Sequence, residues 1–163
     1  MFLSTDIKSD STGTPLERAK ISNKMSYTSQ ILIARKFNEN LSLQLMPTYV
    51  HRNLVVDAAD KNDVFAVGIG GRYKLSSRVS INAEYYHSLT SHRADAYNPI
   101  AVGFDVETGG HVFQLFVTNA MWNTERAFIT DTRDKLNDVR LGFKISRVFP
   151  LIPRKVKGTE IVL

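Results

Sequence analysis

The feature that most constrains this chain is the alternation of apolar and polar residues along most of its length. A period of two places successive side chains on opposite faces of an extended strand. Several runs span 9 to 13 residues, whereas strands of globular proteins are most often about 5–6 residues long and a tilted strand needs about 9–11 to cross a bilayer. The sequence predicts about eight strands, with at most one helical turn in 120–138. The predicted strands are 2–8, 25–37, 41–52, 64–75, 79–89, 100–108, 111–119 and 139–149.

Long and short connections alternate between these strands. The short ones are 38–40, 76–78 and 109–110, and the longest is 120–138. In an antiparallel meander, alternate connections lie at opposite ends, so the long loops gather at one rim and the tight turns at the other. Outer-membrane barrels have this asymmetry, with short periplasmic turns and long outer loops. The alternation of long and short connections therefore predicts an all-β, antiparallel, up-and-down transmembrane β-barrel. This chain could also be the C-terminal portion of a larger barrel.

The parity of the turns supports this arrangement. A three-residue loop at 76–78 would place Leu75 opposite Val79 and keep the apolar residues of both strands on one face. The apolar residues are even-numbered in 100–108 and odd-numbered in 111–119, which requires an even-length loop. Gly109 and Gly110 supply two residues that can adopt positive φ in a type I′ turn.

The apolar face could point in either direction. A lipocalin-like soluble barrel would point it inward around a small apolar ligand, and a membrane barrel would point it outward at lipid. Aromatic residues near both ends of the strands favour lipid, because aromatic girdles mark the two interfaces of membrane barrels. The predicted interface aromatics are Phe37, Tyr49, Phe65, Tyr73, Tyr85 and Phe149.

The opposite, polar face mixes acids, bases and glycines, as a confined interior would. We expect Arg72 and Glu84 to approach each other diagonally on this face. The glycines of 68–72 lack a following helix, so they do not form a phosphate loop and instead leave room for strand packing or for a large neighbour. The predicted lumen-lining residues are Arg72, Lys74, Glu84, Asp105, Glu107, Gln114, Arg140 and Lys144.

Composition excludes several other classes of protein. No apolar run approaches the roughly 20 residues of a transmembrane helix. The chain has no cysteine, so disulfides and thiolate metal sites are excluded. Its net charge of +5 is scattered, with one basic cluster at 153–158, and no nucleic-acid motif accompanies it. The N-terminus lacks the regions of a signal peptide, so we expect a cytoplasmic protein, a mature form or a fragment.

Three blocks carry a resemblance: LIARKFNENLSLQLMPTYVHRNLV (32–55), GGRYKLSSRVSINAEYY (70–86) and GFDVETGGHVFQLFVTN (103–119). With the closing GFKISRVF (142–149), they resemble a family of outer-membrane β-barrel proteins of unknown function from Gram-negative bacteria. The resemblance implies a barrel located in the bacterial outer membrane, and longer family precursors with a signal peptide and further strands ahead of this region. It implies no catalytic or binding residues.

Two clusters could carry chemistry. His87, Ser91, His92 and Asp95 lie where a strand enters a long loop, the place where an outer-membrane enzyme could hold a His/Ser/Asp site. A metal site would combine His51, His87 and His92 with Asp57, Asp60 or Asp63, but no tight ligand spacing accompanies them. We interpret both as polar loops and predict no catalytic residue, metal or cofactor.

The expected function is therefore non-enzymatic: a passive pore for small solutes, or a structural and partner-binding barrel. Eight strands that closed on themselves would be filled by side chains, whereas additional strands would leave room for a pore. The expected partners are outer-membrane lipids, and proteins that contact the long outer loops or the basic tail at 150–163, which we place in the periplasm. Trp122 could anchor the longest loop at the interface or contact a partner.

Overall fold

The computed structural model describes residues 1–7, 20–55, 60–90, 96–135 and 137–147. They form nine strands, one short α-helix (α1, Glu125–Thr130) and a 3₁₀ turn at Ile21–Lys24. The strands are β1 Phe2–Ile7, β2 Met25–Gln30, β3 Ile33–Lys36, β4 Leu41–Arg52, β5 Asp63–Lys74, β6 Val79–Ser88, β7 Ile100–Thr108, β8 His111–Thr118 and β9 Arg140–Arg147. The predicted tail at 150–163 lies outside the described residues.

All the strands belong to one antiparallel sheet. The order across it is β1-β2-β4-β5-β6-β7-β8-β9, and β3 also pairs with β4. This is the meander that the sequence predicts, and the all-β fold class is confirmed. The sheet curls strongly into a half-barrel. Among the described residues, β1 pairs only with β2 and β9 only with β8, so these strands do not close a ring.

The prediction of a single strand at 25–37 is wrong. It is divided into β2 and β3, which both pair with β4 in one continuous register. The gap lies opposite Pro47, where the Ile31 N–H donates to the Pro47 carbonyl at 3.0 Å. Because proline has no N–H, the reciprocal ladder bond cannot form, and the pairing is interrupted there.

The two faces of the sheet differ as the alternation requires. On the face that α1 covers, called the inner face here, Val50 and Val64 are fully buried. On the outer face, Leu45, Ile69 and Phe104 are exposed although they are large and apolar. The lipocalin-like alternative is therefore wrong, because it would point these residues into the interior.

Both parity arguments hold for the turns. The Leu75 N–H donates to the Val79 carbonyl at 2.9 Å across the three-residue loop. At the two-residue turn, Thr108 pairs with His111, and Gly109 and Gly110 have φ of 52° and 97°. Positive φ at both central positions is the requirement of a type I′ turn.

We expect Gly110→Ala to reduce stability by about 1–2 kcal/mol, since a Cβ is unfavourable at positive φ. Gly109→Asn is the control, because asparagine tolerates the left-handed region that Gly109 occupies at φ 52°. Urea unfolding in lipid vesicles measures both variants. Equal stability of Gly110→Ala and the unmodified protein would show that the turn does not hold its geometry in the bilayer.

The helix α1 is longer than the single turn that the sequence predicts. The Thr124 side chain caps it by accepting from the Ala127 N–H at 3.4 Å. Six residues are too few to form a stable helix alone, so packing stabilises it. Ile129 enters the inner-face core with Met46, Val50, Val64, Ala66 and Tyr86. In the described part of the chain, no helix is both long and apolar enough to span a membrane.

Candidate functional site

A polar network occupies the inner face near the tight turns. The Arg72 guanidinium donates to Ser80 Oγ at 2.9 Å and to Glu107 Oε1 at 2.8 Å. One step across the sheet, Gln114 donates to Asp105 Oδ1 at 2.9 Å, and Asp105 is buried. The Arg72 group joins β5, β6 and β7, and the Gln114–Asp105 pair joins β7 and β8, through side chains that point to the same side.

The expected approach of Arg72 to Glu84 is replaced by a different pair. Arg72 lies opposite Asn82, and its guanidinium reaches Glu107 on β7, a strand that is not adjacent to β5. Glu84 lies opposite Gly70 and close enough to Glu125 of α1 for the two carboxylates to interact electrostatically. The inner face thus has an acidic region beside the helix.

A buried hydrogen-bond group lies at the centre of the inner face. The Gln30 amide donates to Thr48 Oγ1 at 2.9 Å and to the Tyr86 hydroxyl at 2.6 Å. The Tyr86 hydroxyl lies 3.4 Å from Met46 Sδ, to which it donates. Phe128 of α1 packs against the Tyr86 ring edge-to-face, with 5.9 Å between the ring centroids. Through Phe128, the helix therefore contacts a hydrogen-bonded group that joins β2, β4 and β6.

The segment 119–135, which contains α1, is anchored at its start by Asn119. This buried side chain accepts from the Ile100 N–H at 2.9 Å and donates to the carbonyls of Asn98 and Asp134, each at 3.2 Å. Because the same amide bonds both ends of the segment, the segment is held over the inner face as a closed loop.

Charged residues meet at the loop end of the inner face. Arg126 of α1 forms a 2.8 Å ion pair with Asp131, and Arg52 approaches the same carboxylate at 3.9 Å. Arg52 is almost fully buried and also donates to the Lys61 carbonyl at 2.6 Å. Two guanidinium groups therefore share one carboxylate, while the neighbouring Asp134 pairs with Arg140.

Beside this cluster is a cavity of about 480 Å³ between the segment 119–135 and the ends of β1, β2 and β4, which we call the mouth cavity. It lies within the usual size range of small-molecule pockets, about 300–1,000 Å³. The residues that line it are Asp6, Ile7, Lys24, Ser26, Arg52, Leu54, Val55, Asp60, Met121, Trp122, Thr124, Arg126, Ala127, Asp131, Arg133 and Asp134.

The outer face carries its own polar contacts at the loop end. The Tyr49 hydroxyl donates to Asp63 Oδ1 at 2.6 Å, and His51 Nδ1 lies 2.7 Å from the same oxygen. The Tyr27 ring stacks on His51, and Phe65 packs on Tyr49 with 5.0 Å between the ring centroids. The result is an aromatic surface with a carboxylate at its edge, a composition that suits a membrane–water interface.

All the residues predicted to line a lumen lie on the inner face by register, and their contact with an aqueous lumen stays a prediction. Asp105 is buried, Arg72, Glu84, Gln114 and Arg140 are partly exposed, and Lys74, Glu107 and Lys144 are exposed. Arg52 was missed, although it is even-numbered on β4, the parity of Ser42, which lies opposite the predicted lumen residue Arg72.

Five of the residues predicted to be interface aromatics are exposed on the outside of the sheet, and Phe149 lies outside the described residues. Near the tight turns, the Arg35 guanidinium lies 5.2 Å from the centroid of the Phe37 ring. The position of the five aromatic residues at a membrane interface stays a prediction. The five are Phe37, Tyr49, Phe65, Tyr73 and Tyr85.

The alternative catalytic cluster is described only in part. His87 is exposed, and its Nδ1 lies 3.2 Å from the Asn98 amide nitrogen. Ser91, His92 and Asp95 lie outside the described residues, as does Asp57 of the alternative metal site. Within the described ranges, no group of three or more His, Cys, Asp or Glu residues could hold a metal ion.

An antiparallel sheet with an apolar outer face, a charged inner face and an inward-folded loop defines the wall of a membrane β-barrel. The chain belongs to the family described as Membrane bound beta barrel domain (DUF5777), whose model matches residues 1–149. The family's function is unknown, and its name specifies a membrane but not which one. No curated protein and no solved structure matches the chain.

Proposed function

We propose that this domain is a non-enzymatic barrel of the bacterial outer membrane that passes small polar solutes. The observation that carries the proposal is the curvature of the sheet: its eight hydrogen-bonded positions form only half of a barrel wall. A complete wall of that curvature has roughly 16 strands, a number that leaves an aqueous channel, whereas eight strands alone are filled by side chains.

The outer edges of β1 and β9 support closure by further strands. An unpaired strand edge within the hydrocarbon leaves N–H and C=O groups unsatisfied at a cost of several kcal/mol each. The strands that complete the wall can come from the same polypeptide or from a second copy. Either source produces the wider barrel that a pore requires.

The segment 119–135 restricts the interior of the proposed pore. Phe128 and Ile129 project from α1 onto Tyr86 and the inner-face core, well inside the wall. The same packing favours the second candidate function, a plugged structural barrel that binds partners through its loops. The two functions differ in whether water passes the helix.

Planar-bilayer recordings on the protein purified from its native membranes separate the two functions. We expect stepwise conductance that rises in Phe128→Ala, because this change removes a ring from the constriction. Phe104→Ala on the outer face is the matched control and should leave conductance unchanged. Heat-modifiable gel mobility checks folding of each variant, and fractionation should place the protein with outer membranes. Absence of conductance at every salt concentration would reject the pore in favour of the plugged barrel.

A further inference from the structure

The mouth cavity has one wall built directly on the sheet. Asp6, Ser26 and Arg52 form a single row across β1, β2 and β4, in which Asp6 pairs with Ser26 and Ser26 with Arg52. The opposite wall comes from α1 and its flanks, which the Asn119 side chain and the core contacts of Ile129 hold in place. Groups on strands are positioned more rigidly than groups on free loops, which favours a binding site over a surface depression.

The cavity lining contains four acidic and four basic side chains. On the basic side, Arg126 and Arg52 share the Asp131 carboxylate, and Arg126 Nε donates no hydrogen bond within the described residues. On the acidic side, Asp6 Oδ2 accepts no hydrogen bond from the described part of the chain. Both atoms are buried and have no partner within the described residues, and they belong to a basic and an acidic side chain that line the same cavity.

Exposed apolar side chains form another part of the lining. Leu54, Met121 and Trp122 are all exposed at the cavity, and Trp122 is the one tryptophan of the chain. An indole ring offers a large apolar surface for a ligand. The cavity thus has an apolar part beside its two charged parts.

We infer that the mouth cavity binds a small zwitterionic solute with an apolar side group, of the chemical class of a free α-amino acid. The balance of acids and bases disfavours a ligand of a single charge, since one sign would face repulsion from half of the charged lining. The row Asp6–Ser26–Arg52 points to the inner face, so the site opens to the interior side of the sheet and not to lipid tails. The inference names the class of solute that the proposed pore would pass. The role of the site in transport rests on the proposed pore, whereas the binding of the solute does not.

Trp122 fluorescence tests the inference on the detergent-solubilised full-length protein, because the ligand would contact the ring. The probes are leucine and its two singly charged counterparts, 4-methylpentanoate and isopentylamine. We expect leucine to produce a saturable change, with a dissociation constant at least about tenfold lower than that of either counterpart, since each counterpart leaves one charged group of the site without its partner. Equal affinity for leucine and 4-methylpentanoate, or no saturable change with leucine, would overturn the inference.

Two variants locate the site. Asp6→Asn and Arg126→Gln should each weaken leucine binding about tenfold or more, while Lys144→Gln on β9, far from the cavity, should bind leucine normally. If Arg126→Gln does not fold, Asp6→Asn alone tests the site. Unchanged affinity of Asp6→Asn for leucine would then refute the assignment of the binding site to the mouth cavity. Conductance without a leucine response would refute this site and leave the pore standing. A leucine response without conductance would reject the pore and leave the site.

Discussion

An arginine in place of Ile69 should prevent efficient folding into a bilayer, whereas an arginine in place of Gln44 should not. Ile69 is exposed on the outer face, midway along β5 between the aromatic residues Phe65 and Tyr73. An arginine facing lipid at the bilayer midplane costs about 2–4 kcal/mol. Gln44 lies at the same depth on the inner face, opposite Gly70, which has no side chain.

Folding into lipid vesicles, followed by heat-modifiable gel mobility and urea unfolding, measures both variants. The pair is matched in depth, strand neighbourhood and added charge, so a difference between them reports only the direction in which each side chain points. Equal tolerance of the two arginines would mean that the outer face does not contact lipid, which contradicts the membrane assignment.

The second large effect is expected from Gly103→Ala. Gly103, Phe116 and Gly142 form one row across β7, β8 and β9. A Cβ at Gly103 would lie 2.6 Å from the Leu115 carbonyl oxygen and 3.0 Å from the Phe116 Cα, which are backbone atoms that cannot move aside. A Cβ at Gly142 would overlap the Phe116 ring. We expect Gly103→Ala to lower the free energy of unfolding by about 2–3 kcal/mol, the upper part of the range for overpacking.

Gly71→Ala is the control for this prediction. A Cβ there would meet the Leu43 Cδ2 atom at 3.1 Å, the end of a flexible side chain on the outer face. It should change stability by less than about 1 kcal/mol. Urea unfolding of the two alanine variants in the same vesicles compares them. If Gly103→Ala were as stable as Gly71→Ala, β7 and β8 would have to be farther apart than they are here.

The family membership and the curled sheet together limit the possible functions. A membrane-bound barrel contacts lipid through its outer face, so chemistry specific to this protein must lie on the inner face or in the loops. The inner face has a polar network near the turns, a buried group around Tyr86 and a charged loop end beside the mouth cavity. The segment 119–135 belongs to two of these regions, because Phe128 packs on Tyr86 and Arg126 lines the mouth cavity, so the proposed solute passage and the proposed solute binding would both depend on it.

Apart from the division of 25–37 into β2 and β3, the sequence alone determined the described strands, their faces and their turns, because these depend on residues close together in the chain. Alternation assigned Ile69 and Phe104 to one face, and the even-length loop at Gly109 and Gly110 followed from a change of parity. A period of two is a local property, so it can be read without knowing which strands are neighbours. The glycines of 68–72 indicated strand packing or room for a large neighbour, and the Tyr86 ring occupies that room at Gly68.

Only the tertiary structure decided which side chains contact one another. Curling of the sheet brings Arg72 to Glu107 across an intervening strand, a contact that a flat diagonal register does not predict. The inward fold of α1 onto Tyr86, which places Arg126 beside Arg52 and Asp131, has no periodic signal because six residues are too few to show one. These contacts join residues far apart in sequence, and their geometry depends on curvature and packing summed over the whole sheet.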